Sequence, residues 1–397
     1  MTSLRVGLLA RPILARQLLR QDVNLMRSGF ISREFASKPG SRGFFSGVFK
    51  PIAIGIAIGA GVGTGYSILT KEETGIPGTI IKQNDKPLII DKFPENVKIM
   101  RQIKNPQDST GLDLVLFQFQ TCPFCCKVRS YLDYKGLSYS VVEVDAVLRQ
   151  AIKWSPYKKV PLLLAKTKSG KYVQLTDSSM IVSAIETYLK NPDKDMAEIA
   201  ALYPNVSFMD EQGKKKTDVF NKYFLMFTDE KATKNNKEEI KHEKDWRAWA
   251  DDHLVHLISP NVYRNRTEAL ETFEWFSQTG EWDVHFPKWE RNLMVYMGAA
   301  AMYMISKRLK KRHNLTDDVR SHIYQACDKW TDELKKRNTQ FMGGKKPNLA
   351  DLAVFGVLSS MEGCLAFKDC LDNTKIGSWF YDVKAHVQRN RGNGVPA

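Results

Sequence analysis

Three of the six cysteines in this 397-residue chain lie together within residues 121–126, in the order Thr-Cys-Pro-Phe-Cys-Cys. An alternating β-rich run precedes them and a helical pattern follows, so Cys122 falls at the predicted N-terminus of a helix. Unpaired amides and the helix dipole lower the pKa of a thiol there, and Lys127 and Arg129 favour the thiolate further. We therefore predict that Cys122 is an exposed, activated thiol. Cys125, one turn into the helix, is the second thiol that resolves it.

Two other interpretations of the cysteine pair remain open. Zinc needs two more Cys or His ligands, usually as a second close pair. Cys327, Cys364 and Cys370 are dispersed instead, and no histidine lies between residues 127 and 241. The cysteines could also be merely buried, but this would not explain a proline inside the pair directly after a strand.

The elements around the pair follow the order strand–helix–strand and then hairpin–helix over residues 111–191. This is the order of an α/β domain of the thioredoxin or glutaredoxin type. In that fold Pro161 is cis, and the backbone of Val160 faces the redox cysteine and pairs with glutathione. Asp177 and Ser178 begin the second helix, whose N-terminus suits a carboxylate. Ser178 and the helix amides are predicted to hold the γ-glutamyl carboxylate of glutathione, while Asp177 binds its ammonium group.

The rest of the chain divides by composition. Residues 71–110 carry four prolines and are predicted to be mainly a linker with short extended pieces. Residues 192–242 are a charged, solvated insertion. Residues 243–390 have helical periodicity throughout and form an all-α domain.

The N-terminal 70 residues have the features of targeting and anchoring segments. Residues 1–50 carry nine basic and two acidic side chains, and their arginines are interleaved with apolar residues as in a mitochondrial transit peptide. A disordered basic tail is the alternative. Residues 51–70 contain no charge and, as a helix, would just cross a bilayer core of about 30 Å. We predict one membrane-anchor helix, in a mitochondrial membrane or, alternatively, in a Golgi membrane with release of a cytoplasmic form.

Overall composition excludes several classes of protein. Apolar residues make up 43% and charged residues 26%, which argues against disorder or several membrane spans over most of the chain. The net charge is +15, but the first 50 residues supply +7 of it, so the remaining excess is spread thinly. Binding to nucleic acid is therefore not expected.

Several motifs together resemble the type 2 prostaglandin E synthases, membrane-associated members of the glutathione transferase-like superfamily. The motifs keep their order over roughly residues 110–390: Cys122-Pro-Phe-Cys125, Lys159-Val-Pro161, Asp177-Ser-Ser179, Trp249-Ala-Asp-Asp252, His256-Leu-Ile-Ser-Pro-Asn-Val-Tyr-Arg264, Tyr296-Met-Gly-Ala-Ala-Ala-Met-Tyr303 and Phe341-Met-Gly-Gly-Lys-Lys-Pro-Asn-Leu-Ala-Asp351.

The resemblance implies a homodimer that isomerises prostaglandin H2, or a similar lipid endoperoxide, to prostaglandin E2. It also implies a complex of glutathione and haem in which the glutathione sulfur ligates the iron. Cys122 would be the catalytic thiol, and Val160, Asp177 and Ser178 would hold glutathione. Phe124 would form a pocket wall.

Basic and histidine side chains of the helical domain complete the site that the resemblance implies. Arg308 and Arg312 lie on one helical face and could bind a substrate carboxylate or a haem propionate; a solvated basic helix end is the alternative. His253 or His256 could contact haem, and a satisfied core histidine remains as an alternative for each. Phe119 stands where some vertebrate members carry a tyrosine that bonds to the sulfur, which should raise the thiol pKa somewhat.

Two further functions remain open beside the isomerase. One is a glutaredoxin-like or transferase-like oxidoreductase that uses both thiols. The other is a non-catalytic, membrane-tethered binder of glutathione and haem.

Overall fold

The computed structural model describes residues 80–84, 86–145, 149–211, 213–228 and 236–396. The predicted targeting segment, 1–50, and the predicted membrane anchor, 51–70, lie outside these ranges. Among the described residues, no helix is both long enough and apolar enough to cross a membrane.

The described strands form two sheets. Their bounds are β1 (Ile80–Asn84), β2 (Ile89–Ile90), β3 (Arg101–Lys104), β4 (Leu114–Gln118), β5 (Tyr139–Glu143), β6 (Leu162–Lys166), β7 (Tyr172–Thr176), β8 (Asn205–Met209), β9 (Lys215–Val219) and β10 (Asn393–Pro396). The larger sheet has the order β10-β3-β5-β4-β6-β7-β2, and the smaller one the order β1-β8-β9. In the larger sheet β4 and β5 are parallel, whereas the other neighbours are antiparallel.

Helices pack against one face of the larger sheet and make up most of the second half of the described chain. They are α1 (Pro123–Lys135), α2 (Ser178–Lys190), α3 (Met196–Ala200), α4 (Lys237–Trp249), α5 (Val255–Val262), α6 (Arg266–Thr279), α7 (Trp282–His285), α8 (Lys288–Arg312), α9 (Val319–Arg337), α10 (Leu349–Ser359), α11 (Leu365–Asn373) and α12 (Ile376–Asn390). A single π-helical turn, Ala250–Leu254, joins α4 to α5. The α/β domain and the all-α domain of the sequence-based fold class are both present.

Helix α1, which begins at the cysteine pair, is positioned by the buried strand before it and by the residues at its two ends. All five residues of β4 are buried, and the chain then turns so that Cys122 is the N-cap and Pro123 the first helical residue. Proline suits that position because its missing N–H would be unpaired anyway. Gly136 ends the helix with φ +68°, a left-handed conformation that glycine adopts without a steric penalty.

The C-terminal part of the chain returns to the α/β domain. Strand β10 pairs antiparallel with β3, with Asn393 opposite Lys104. The side-chain amide of Asn390 donates to the backbone carbonyl of Tyr134 near the end of α1. The backbone carbonyl of Asn390 accepts a hydrogen bond from the Asn105 side chain. Residues from both ends of the described chain therefore build one edge of the larger sheet.

The predicted linker and insertion contain more regular structure than their composition suggests. Strands β1, β2 and β3 all lie within residues 71–110, and β3 is part of the larger sheet between β5 and β10. Within 192–242, β8 and β9 form a hairpin whose apolar Val206 and Val219 are buried. The lysine-rich run that looks irregular in sequence is the exposed part of strand β9.

Helix α10 packs closely against α1. Its N-terminus has the predicted capping box, in which the Asn348 side chain accepts from the Asp351 amide and Asp351 accepts from the Asn348 amide. At Gly356 a Cβ atom would lie 2.5 Å from the Lys127 Cα and 2.6 Å from its backbone nitrogen. Only glycine allows the two helices to approach this closely.

Replacing Gly356 by alanine should therefore push α10 and α1 apart. We expect the free energy of unfolding in urea to fall by about 1–3 kcal/mol, because the neighbouring atoms are backbone and cannot rotate away. Gly377→Ala, in α12, is the matched control: its nearest neighbour is the movable Leu371 side-chain tip at 3.1 Å. Equal changes for the two variants would contradict the proposed contact.

Candidate active site

The Cys122 sulfur lies at the start of α1, where three groups donate hydrogen bonds to it. These are the Cys125 thiol and the backbone amides of Phe124 and Cys125. The Cys125 hydrogen bond lowers the pKa of Cys122 most, burial opposes it, and the two amides and the Arg129 charge lower it further. The net pKa lies below the usual thiol value, in the direction that the sequence predicts.

The prediction that Cys122 is exposed is wrong. Cys122 is only 5% exposed, and it belongs to the same buried core cluster as Phe119, Tyr263 and Phe276. Tyr263 and Phe276 come from the helical domain, whose packing over the N-terminus of α1 could not be deduced from the local pattern. Cys122 therefore presents only a small part of its surface to a reactant.

The other two clustered cysteines behave differently from Cys122. Burial raises the pKa of Cys125 well above its usual value, and its hydrogen bond and proximity to Cys122 raise it further. Burial also raises the pKa of Cys126, whose thiol donates to the Gln120 carbonyl at 3.5 Å. Of these three thiols, Cys122 is thus the one that ionises first, and Cys125 is the one that keeps its proton and donates it.

Removing the Cys125 thiol should raise the pKa of Cys122. In Cys125→Ala the thiolate loses its strongest donor, so the rate of alkylation by iodoacetamide should need a higher pH to reach half its maximum. Cys125→Ser keeps an O–H donor and should shift this pH much less. The measurement is the pH dependence of Cys122 alkylation, followed by mass spectrometry of the labelled peptide. Coincident profiles for Cys125→Ala and the unmodified protein would contradict the assigned hydrogen bond.

The two cations after the cysteines have separate roles. Arg129 lies near the thiols as predicted, and it donates to Gln118 and to the Gln120 carbonyl, both at 2.7 Å. Lys127 instead extends toward the helical domain, where its ammonium contacts Asp251 and donates to Ser179 Oγ at 3.0 Å. The predicted effect of Lys127 on the thiol is not among the causes of its lowered pKa.

The Val160–Pro161 peptide bond is cis, as the fold implies. Strand β6 begins only at Leu162, which is opposite Phe117 and Thr176 in the neighbouring strands. Within the described residues, neither the N–H nor the C=O of Val160 hydrogen-bonds to another protein group. A donor and an acceptor thus remain available at this position for an extended peptide ligand.

The N-terminus of α2 is partly occupied by its own cap. Asp177, at φ +69°, accepts hydrogen bonds from the amides of Ser179 at 2.8 Å and Met180 at 3.1 Å. The prediction that these helix amides hold a ligand carboxylate is therefore wrong for these two. The other Asp177 oxygen lies 4.0 Å from Lys222 Nζ, and the buried Ser178 Oγ accepts from Lys127 Nζ at 3.2 Å.

A buried polar network connects this region to the helical domain. Asp251 contacts the Lys127 ammonium and also accepts from Ser179 Oγ at 2.6 Å and from the Tyr223 hydroxyl at 3.0 Å. Burial raises the pKa of Asp251, but the Lys127 charge and hydrogen bond outweigh it and hold the pKa below its usual value. Asp251 lies in the Trp-Ala-Asp-Asp motif. Its pairing with Lys127 could not be inferred from sequence, because the two residues are 124 positions apart.

Histidine and arginine side chains gather near the end of α8. His256 stacks on His313 with ring centroids 4.4 Å apart, and burial, the His313 ring and the Arg312 charge lower the pKa of His256 to about 4. The Nε2 atom of His313 is buried without a hydrogen-bond partner in the described part of the chain. His256 is thus a neutral ring at neutral pH, in contact with a histidine that the sequence did not single out.

The remaining side chains that were expected to line the pocket are more exposed and make fewer contacts with one another. Arg308 and Arg312 are exposed and form no ion pair among the described residues, and His253 is exposed beside Trp249. Phe124 is half-buried, 5.9 Å from Lys127 Nζ to its ring centroid. In the described ranges, no group of three or more His, Cys, Asp or Glu side chains is placed to hold a metal ion.

Comparison with known proteins decides the family. The sequence profile of the glutathione S-transferase N-terminal domain matches residues 116–191. Prostaglandin E synthase 2 of Danio rerio is 50% identical over 281 residues, which cover 70% of this chain and 72% of that protein. The chain belongs to the prostaglandin E synthase 2 family. It is therefore an enzyme, and the resemblance seen in the motifs is confirmed.

The family relationship extends to mammals. Prostaglandin E synthase 2 of Mus musculus is 47% identical over 282 residues, again 70% of this chain and 72% of that protein. Among solved structures, glutathione transferase F7 from Populus trichocarpa is 14% identical with a TM-score of 0.37, covering 70% of this chain and 97% of that one. At these values the structural similarity says nothing about the chemistry of the site.

Phe119 lies three residues before the Cys122 thiol of this prostaglandin E synthase 2 family member and packs beside aromatic side chains of the helical domain. Its ring packs edge-on against Phe276, with centroids 6.4 Å apart, and at 6.0 Å from Trp282. Phenylalanine cannot donate to the Cys122 sulfur, so in this chain the Cys125 thiol and the helix amides supply the hydrogen bonds.

Proposed function

We propose that this protein isomerises prostaglandin H2 to prostaglandin E2 through the Cys122 thiolate. The observation that carries the proposal is the lowered pKa of Cys122 at the N-terminus of α1, in a chain that is 50% identical over 281 residues to a prostaglandin E synthase 2. The buried position of the sulfur excludes water, which favours attack on a weak O–O bond over hydrolysis of intermediates.

The proposed reaction needs no external oxidant or reductant. The thiolate attacks the endoperoxide oxygen on C9, so an S–O bond forms, the O–O bond breaks and the oxygen on C11 leaves as an alkoxide. This alkoxide takes the C9 proton. The C–H electron pair forms the C9 carbonyl, the S–O bond breaks and the thiolate is restored. The Phe124 and Cys125 amides, which first stabilise the thiolate, can then stabilise the developing alkoxide.

We propose that glutathione binds along the α/β domain. The unpaired N–H and C=O of Val160 beside Pro161 fit the backbone of an extended tripeptide. The Asp177 oxygen that is not used in capping fits the ammonium group, and Ser178 lies next to it in the chain. Bound glutathione would supply a second sulfur at the site.

Haem is the second proposed ligand. The exposed guanidinium groups of Arg308 and Arg312 fit its two propionates, and the unpartnered His313 Nε2 lies beside His256 in the same region. When bound, haem would supply homolytic O–O cleavage, giving malondialdehyde and a C17 hydroxy acid instead of prostaglandin E2.

We further propose that residues 51–70 anchor the protein in a membrane and that two chains form a homodimer. The basic N-terminal segment supports a mitochondrial location, and a Golgi membrane with release of a cytoplasmic form is the alternative.

The test of the function is direct. The full chain, solubilised in detergent, is incubated with prostaglandin H2, with and without glutathione and haem, and prostaglandin E2 is resolved from breakdown products. Formation of prostaglandin E2 above the uncatalysed rate supports the isomerase. A Soret band in protein purified without added haem, together with no turnover, would instead indicate a glutathione–haem binder.

The hydrogen bond between the two thiols favours one alternative function. A thiolate beside a protonated partner thiol is the arrangement of a dithiol oxidoreductase. Turnover of hydroxyethyl disulfide with glutathione, lost in Cys125→Ser, would indicate that function.

A further inference from the structure

Helix α8 carries apolar side chains on the side that faces away from the core. Trp289, Tyr296 and Met304 are 68%, 59% and 59% exposed, and Leu293 and Met297 are exposed between them. At 100° per residue these five positions fall within an arc of about 100° on the helix. We call them the outer stripe. They lie opposite Met294, Gly298 and Met302, which are buried against the core.

Cations continue the outer stripe at its C-terminal end. Lys307 and Lys311 fall on the same arc of the helix, and Arg308 lies beside it, whereas Arg312 has the same angle as the buried Met294. None of these four side chains forms an ion pair within the part of the chain that the structure describes, whereas Lys310 pairs with Asp317. The helix therefore has an apolar surface that ends in three positive charges, Lys307, Arg308 and Lys311, without an ion pair in the described ranges.

We propose that the outer stripe of α8 docks on the surface of an anionic lipid bilayer. Tryptophan and tyrosine favour the boundary between headgroups and acyl chains, and long cationic side chains reach the lipid phosphates beside it. Positive charge at one end of the stripe complements an anionic membrane surface. The proposed anchor at 51–70 leaves nine residues before Ile80, so Ile80 would stay within about 36 Å of the end of the anchor.

The size of the outer stripe argues against a second copy of the chain as its partner. From Trp289 to Met304 the helix rises about 23 Å, and one helix width is about 10 Å. The resulting area is a few hundred Å², whereas a stable protein interface buries about 800 Å² on each partner. Docking on a bilayer does not require this minimum buried area, because the proposed anchor already holds the domain near the membrane. Docking would place the enzyme where a lipid substrate partitions, although the surface itself does not depend on the proposed isomerase activity.

The test measures the depth of α8 in full-length protein reconstituted into vesicles. Leu293→Cys is labelled with the environment-sensitive fluorophore NBD, and Asp328→Cys, exposed on α9, is the matched control. The unmodified protein, treated identically, corrects for labelling of native cysteines. Vesicles contain phosphatidylcholine alone or with phosphatidylserine, and brominated lipids serve as quenchers. We expect blue-shifted emission and severalfold stronger quenching at position 293 than at 328, most of all with phosphatidylserine.

Reversing two charges separates electrostatic docking from other causes. Lys307→Glu combined with Lys311→Glu should move the emission at position 293 back toward that of a water-exposed probe. Unchanged emission at 293 in both kinds of vesicle and in detergent would overturn the proposal. It would also be overturned if unlabelled Leu293→Cys formed a disulfide between two chains in detergent under mild oxidation, since a second chain would then cover the outer stripe.

Discussion

Replacing Cys122 by serine should remove nearly all conversion of prostaglandin H2 to prostaglandin E2. A serine hydroxyl at the same position stays protonated at neutral pH, so the hydrogen bonds that favour the Cys122 thiolate have no anion to stabilise. Loss of the nucleophile should lower kcat by more than about 10³-fold. The measurement is the initial rate of prostaglandin E2 formation, corrected for the uncatalysed reaction.

Cys125→Ser is the control for this result, because it alters the neighbouring thiol but leaves the nucleophile and supplies another donor. Its loss of rate should be mild. Equal losses from the two variants would contradict a single-thiol mechanism and indicate dithiol chemistry. Full activity of Cys122→Ser would exclude the proposed nucleophile altogether.

Replacing Asp251 by alanine should cause a large loss of stability, because it breaks a buried ion pair. Its partner Lys127 is 2% exposed, so removal of the carboxylate leaves a buried ammonium with only serine hydroxyls as partners. Breaking such a pair typically costs about 3–5 kcal/mol, and we expect that decrease in the free energy of unfolding in urea. Because Lys127 belongs to α1 and Asp251 to the helical domain, the activity should fall as well.

Two comparisons make this prediction specific. Lys241→Ala breaks the exposed Lys241–Asp245 pair, with side chains 70% and 54% exposed, and should cost no more than about 1 kcal/mol. The double variant Lys127→Met with Asp251→Leu removes both charges and should recover much of the stability that Asp251→Ala loses. A decrease for Asp251→Ala no larger than that for Lys241→Ala would show that the buried pair contributes little.

The local features of the site could be predicted from sequence because short segments determine them. The strand before Cys122, the proline at the first helical position and the Asn348–Asp351 capping box each depend on a few consecutive residues. These features, and the family resemblance, located the thiol whose pKa is lowered.

The errors arise from contacts between segments far apart in the chain. Cys122 was predicted to be exposed because a helix N-terminus opens toward solvent unless another element covers it. Lys127 was assigned to the thiol by its spacing, but a carboxylate from the helical domain binds it instead. The Asp177 cap likewise occupies amides that sequence alone leaves open for a ligand.

The pairing of β10 with β3 limits how this protein can be divided. The segment 111–191 carries the cysteine motif, but it contains neither β3 nor β10. Expressed alone, it would present β5 as a bare sheet edge and would lose the helices that cover α1. Such an edge invites pairing with other chains. A minimal active fragment therefore has to extend from before Arg101 to beyond Asn393, although the motif spans four residues.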